Sequence, residues 1–226
     1  AIIATNATAN GGTPDKLVFA IPVTDANHYY YRDNGVAGTF ATAVTTTLAE
    51  ARISDFDADY LAGTARSWYR ISLSGNYLDV TQAVIIDGST QAGYSVAAGP
   101  VIEINAAGIT TAGDENAIAL TSGASTIRGL VINSAGDNAI EIDVNADGSV
   151  IVGNYLGTDV SGTKALGNSS DGPYGALGIK ADGVIVGGTT VADRNLFSGN
   201  LGYGVEIYSS ATGAVIRGNT IGTTVD

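Results

Sequence analysis

From Val84 onward the chain runs in brief stretches where apolar residues alternate with small or polar ones. Examples are Val84-Ile85-Ile86-Asp87, Val101-Ile102-Glu103-Ile104-Asn105, Ala117-Ile118-Ala119-Leu120, Ala139-Ile140-Glu141-Ile142, Ala176-Leu177-Gly178-Ile179 and Gly204-Val205-Glu206-Ile207. A period of two is the pattern of a strand with one buried face, so each is predicted as a short strand. A second series interleaves with the first: Thr126-Ile127-Arg128, Val150-Ile151-Val152, Val184-Ile185-Val186 and Val215-Ile216-Arg217. Its markers Ile127, Ile151, Ile185 and Ile216 are separated by 24, 34 and 31 residues, irregular where 158–173 and 189–200 bulge out. A fixed strand order with loops of variable length is the sequence form of a solenoid of β-coils.

An antiparallel sandwich also has many short strands, but the hairpin signals oppose it. Asp87-Gly88, Asp147-Gly148 and Asp182-Gly183 separate strands of different series instead of closing two-residue hairpins. Gly153-Asn154, Gly199-Asn200 and Gly218-Asn219 follow strands directly, where Gly and Asn tolerate the left-handed backbone of a corner. If the coils stack, these Asn side chains hydrogen-bond in ladders.

The stretches Val84 to Tyr94, Gly153 to Asn168 and Val215 to Thr223 resemble the right-handed parallel β-helix modules of large bacterial surface and adhesin-like proteins. The resemblance covers most of the chain. It implies an all-β, right-handed parallel β-helix, with residues 1–80 as an amino-terminal cap and first coils with loop insertions, and 81–226 as regular coils. It also implies that 1–226 is one domain cut from a longer polypeptide. Thr47-Leu48-Ala49-Glu50 has the spacing of a capping box, predicting a short helix that closes the open amino-terminal end. No comparable cap is legible near Val215 to Ile221, which predicts that the last coil stacks on another module or another subunit.

Composition narrows the chemistry. Ten Lys+Arg against 22 Asp+Glu give a net charge of −12, which opposes binding to nucleic acid. Cys is absent and His occurs once, which excludes thiol nucleophiles, disulfide frameworks and His-clustered zinc or iron centres. No apolar run reaches the roughly 18 to 20 residues of a membrane span. A Gly-, Thr-, Asn- and Asp-rich, Lys-poor chain fits an exported protein at a bacterial cell surface or in an extracellular filament.

Three constellations are candidates for chemistry or binding. Asp55, Asp57 and Asp59, and Asp143, Asn145 and Asp147, have calcium-ligand character, the second set opening like an EF-hand loop. It departs from that loop at the twelfth position, which is Asn154, and both sets read equally well as polar loops. Tyr29, Tyr30, Tyr31 and Trp68 could stack on sugar rings or pack a loop against the coils. Glu103, Glu141 and Glu206 are expected at one outward position, and Glu141 with Glu206 would stand roughly 9.6 Å apart, at the edge of the range for an inverting glycosidase. The catalytic motifs of pectate-lyase-like and polygalacturonase-like enzymes have no match. Asn6 and Asn168 open glycosylation-type sequons. The resulting expectation is a non-catalytic structural or adhesive rod segment, self-associating end to end or joined to neighbouring domains. The alternative is a polysaccharide-active or glycan-binding module.

Overall fold

The computed structural model describes residues 13–39, 42–59, 67–111, 113–170, 172 and 174–223. Their strands form three sheets. The first contains, in order, β1 (Asp15–Val18), β6 (Val84–Asp87), β9 (Thr126–Arg128), β12 (Val150–Val152), β15 (Ile185–Gly187) and β18 (Val215–Arg217), all parallel. The second runs β3 (Ala43–Thr45), β2 (His28–Tyr31), β4 (Ser67–Gly75), β7 (Ile102–Ile109), β10 (Leu130–Asn133), β13 (Tyr155–Leu156), β16 (Leu196–Phe197) and β19 (Thr220–Ile221). The third runs β5 (Leu78–Val80), β8 (Ile118–Leu120), β11 (Ile140–Ile142), β14 (Gly175–Ile179) and β17 (Tyr203–Ile207). From β4 on, the chain visits the second, third and first sheets in rotation, so each circuit adds one strand to every sheet.

The expectation of a uniformly parallel β-helical solenoid with a helical cap is corrected by this arrangement. The three sheets are separate, one is mixed, and no closed solenoid forms among the described residues. β2 pairs antiparallel with both β3 and β4, because residues 22–80 lack the repeat and instead match the Tyr29 to Tyr31 run against Ser67, Trp68 and Tyr69. The expected capping-box helix is absent. Glu50–Arg52 is one 3-10 turn whose N-cap is Ala49, with no side-chain cap, and the Glu50 carboxylate accepts from Ser67 Oγ at 3.5 Å. The three β-branched residues Thr45 to Thr47 favour extended backbone over a helix start. A true capping box sits elsewhere, between Thr190 and Asp193.

The core follows from register. Leu17, Ile86, Ile127, Ile151, Val186 and Ile216 stack in one column of the first sheet. Ile71, Ile104, Ile132, Leu156, Phe197 and Ile221 do so in the second, and Val80, Leu120, Ile142, Ile179 and Ile207 in the third. Completely burying such a side chain stabilises by about 1.5–3 kcal/mol.

Asparagine ladders hold the corners. Asn154 donates through Nδ2 to the Ile127 carbonyl at 2.9 Å and to Asn195 Oδ1 at 3.1 Å. Asn195 repeats the pattern onto the Ile151 carbonyl at 2.7 Å and Asn219 Oδ1 at 2.9 Å, and Asn219 ends it on the Val186 carbonyl. Asn168 and Asn200 form a second ladder at another corner. Asn168 is completely buried with its amide so engaged, which leaves its sequon without an accessible acceptor; Asn6 lies outside the described residues.

Candidate functional site

The aromatic candidates are mostly core. Trp68 (1% exposed) and Tyr31 pack with Val101, Val131 and Val160 on the outer side of the second sheet, with Tyr29, Tyr94 and Tyr155 against them. Tyr29 stacks on Trp68 with ring centroids 6.1 Å apart, and the Arg70 guanidinium covers the Tyr29 ring at 4.6 Å. Tyr30 is buried, edge-on to Phe56, its hydroxyl on Asp55 at 3.1 Å. Tyr31 donates to Asp159 Oδ2 at 3.0 Å, and burial with this carboxylate pushes its hydroxyl far up. Burial likewise raises Asp159, although Ser161, the Lys164 amide and Tyr31 all hydrogen-bond to it.

The three acidic candidates separate. Glu103 is not on the row of Glu141 and Glu206: it lies in β7 of the second sheet, 1% exposed. Its Oε2 accepts from Trp68 Nε1 at 2.6 Å and Arg70 Nε at 2.8 Å, its Oε1 from Asn133 Nδ2 at 3.0 Å. Period-two alternation alone could not separate these sheets, because a strand of either one carries the same pattern. The signal that could have been read was Trp68-Tyr69-Arg70, which places an indole N–H and a guanidinium on one face of one strand.

Glu141 and Glu206 do share a row on the third sheet, with Gly178 between them and Ala119 and Asp79 beyond. Lys180 pairs with Glu141 at 2.9 Å and lies over the Tyr208 ring at 5.3 Å. Burial, then the hydrogen bond to Glu206, pushes the Tyr208 hydroxyl up to about 12. Glu206 Oε2 has no hydrogen-bond partner among the described residues. The structure does not bring this row to Tyr29, Tyr30, Tyr31 or Trp68, which belong to the second sheet.

The calcium candidates act as loop fasteners. Asp55 accepts from Tyr30, Asp57 from the Asp59 amide at 2.9 Å, and Asp59 from the Thr39 amide at 3.1 Å. Asp143 accepts from the Val144 amide at 2.7 Å, Asp147 from the Asp182 amide at 2.8 Å, and Asn145 is exposed. Among the described residues no three His, Cys, Asp or Glu side chains gather to hold a metal ion.

Asp87 is a buried carboxylate held by Ser89, Lys16 and Arg128. Burial opposes its ionisation, but hydrogen bonds from Ser89 and Lys16 and the nearby Arg128 outweigh that and lower its pKa. A lowered carboxyl contributes stability that is present above the unfolded value of about 3.9 and is lost as pH falls through the folded one. Urea midpoints measured from about pH 6 down to pH 2 should therefore fall less steeply for Asp87→Asn than for the natural chain. Half-exposed Lys16 and Arg128 keep the effect modest. Parallel slopes would show that the cluster contributes nothing.

The second candidate surface is the end of the stack. Ile127 and Ile151 are completely buried in their column, as is Val186, whereas Ile216 beyond them is 37% exposed. Phe197 is buried and Ile221 beside it is 54% exposed, while Ile207 ends the third column at 49%. β17, β18 and β19 are each an edge strand of a sheet among the described residues. Between Leu196 and Ile221 the only charged side chains are Glu206 and Arg217, in a chain of net charge −12.

Set against known proteins, the sequence matches no protein family, no curated protein and no solved structure.

Proposed function

We propose that this protein is a non-catalytic structural or adhesive extracellular element, a stiff segment that joins end to end through its carboxyl-terminal layer. The observation that carries the reading is that Ile207, Ile216 and Ile221 are 49%, 37% and 54% exposed on the edge strands β17, β18 and β19. Unpaired sheet edges backed by apolar side chains are templates for strand addition. The polar groups that could suggest catalysis are instead engaged structurally, Glu103 beneath Trp68 and Glu141 on Lys180. Export to the cell surface is supported by the Gly-, Thr-, Asn- and Asp-rich, Lys-poor composition and by the sequence resemblance to bacterial surface modules.

The occupant of the end is a second copy, carboxyl end to carboxyl end. Sedimentation velocity over a concentration series should show a reversible, elongated dimer, lost in the double variant Ile216→Asp, Ile221→Asp. A species that stays monomeric at the highest concentration overturns the reading.

A further inference from the structure

In the sequence only Asn10 and Asn34 are followed by glycine, and of these Asn34 lies among the described residues. The ladder residues Asn154 and Asn195 instead precede Tyr155 and Leu196, and both are completely buried with their amides engaged. Asn34 has the opposite setting. It sits in the turn that leaves β2, where every residue from Arg32 to Thr39 is exposed.

Two overlapping side-chain turns shape this segment. Asp33 Oδ1 accepts from the Gly35 amide at 2.7 Å, and Asn34 Oδ1 accepts from the Val36 amide at 2.7 Å. Asn34 Nδ2 donates to the Thr39 carbonyl and to Thr39 Oγ1, both at 3.1 Å. The Thr39 amide donates to Asp59 Oδ2 at 3.1 Å, which ties the turn to the segment before β4. Gly35 has a φ of +69°, and nothing lies within 4 Å of the place a Cβ would occupy. No side chain, its own or a neighbour's, therefore stands on that side of its peptide nitrogen.

We infer that Asn34 is a self-deamidating residue, its carboxamide attacked by the Gly35 nitrogen with Asp33 as the base. The Gly35 nitrogen gives its proton to the Asp33 carboxylate that already holds it, and bonds to Asn34 Cγ, closing a five-membered ring. Negative charge then develops on Asn34 Oδ1, at which the Val36 N–H is already aimed. The Cγ–Nδ2 bond breaks, Nδ2 takes up the proton, and ammonia leaves. Solvent water opens the resulting succinimide. Attack at the side-chain carbonyl gives Asp, and attack at the main-chain carbonyl gives isoaspartate. The net change is water consumed, ammonia released and one negative charge gained. The turn holds nucleophile, base and electrophile together, so part of the ordering that a free chain must supply is already in place.

The product releases the turn. A carboxylate has no donor to offer the Thr39 carbonyl and hydroxyl that Asn34 Nδ2 holds, and it faces that carbonyl with like polarity. The loss reaches Arg32, which is bridged to Phe56 at the base of the same turn. None of this involves the carboxyl-terminal layer, so it does not rest on end joining.

The test follows conversion at neutral pH in the folded protein and in the same protein kept in urea. Cutting after Arg32 and Arg52 in a short, mildly acidic tryptic digest gives a peptide whose only asparagine is Asn34. Deamidation is then a gain of one mass unit in that peptide, with isoaspartate separated by retention time. Conversion should run several-fold faster in the folded chain than in urea. Asp33→Asn keeps an acceptor for the Gly35 amide but removes the charge, and should abolish that advantage once melting curves confirm that it folds. Asn34→Asp should be cut after Arg32 by trypsin under native conditions several-fold faster than fresh natural protein. Conversion no faster folded than in urea, or unaffected by Asp33→Asn, overturns the proposal. Unchanged native cleavage of Asn34→Asp overturns the release of the turn.

Discussion

Replacing Glu103 by Leu should destabilise the protein by about 3–5 kcal/mol, the cost of removing one partner from a buried charge pair. The substitution strips the acceptor from three donors at once: the Trp68 indole, the Arg70 guanidinium and the Asn133 amide. Arg70 is partly buried, so its charge is left with little solvent to replace the carboxylate. Asn133 also holds Asn105 and the Thr158 carbonyl, which spreads the loss from β7 to β10 and the loop after β13. For a chain of this size the loss lowers the melting temperature by roughly 10 °C. Trp68 is the only tryptophan, so its fluorescence reads the same event locally. Glu103→Gln keeps one acceptor oxygen and should cost clearly less. A Glu103→Leu protein that melts within a degree or two of the natural chain would show that the network is not a support.

Much of this architecture was legible in period-two alternation and in the Gly-Asn corners, and the reasons for the failures are specific. The second series does lie in one sheet, but its register slips by one residue at the third member: Val186, not the marker Ile185, stands beside Ile151 and Ile216, and Ile185 pairs with Val150 and Val215 on the other face. The other series, however, merged three sheets: Val84 belongs to the first, Ile102 to the second and Ile118 to the third. Alternation reports that one face is buried but not which wall of the stack bears it. The short strands Tyr155–Leu156 and Leu196–Phe197 were missed because two residues cannot display a period. Residues 22–80 resisted reading because their order comes from long-range aromatic pairing, as when Tyr29 meets Trp68 in register. The tyrosine run was legible as either a sugar platform or a packed wall; burial of Tyr31 and Trp68 follows from the partners that β4 and β7 supply.

The asparagine ladder gives the second large effect, and its position dependence separates stacking from ordinary hydrogen bonding. Asn195 accepts from the Asn154 amide at 2.9 Å and from its side chain, and donates to the Ile151 carbonyl and to Asn219. Asn195→Leu leaves those groups unmatched at a completely buried corner, at a cost of about 1–3 kcal/mol for each orphaned group and on the order of 4 kcal/mol after relaxation. Asn219 occupies the same corner one level out, where solvent reaches the terminal layer and can replace the lost bonds. Asn219→Leu should therefore cost only about 1 kcal/mol in the monomer. Urea unfolding at low concentration measures both, and equal costs would mean that the ladder does not act as a stack. If a second copy joins at this end, Asn219 becomes an interior member of the ladder in the joined form. The same Asn219→Leu substitution should then weaken end joining several-fold while leaving monomer stability nearly intact, a pattern that local folding defects in the last layer would not give.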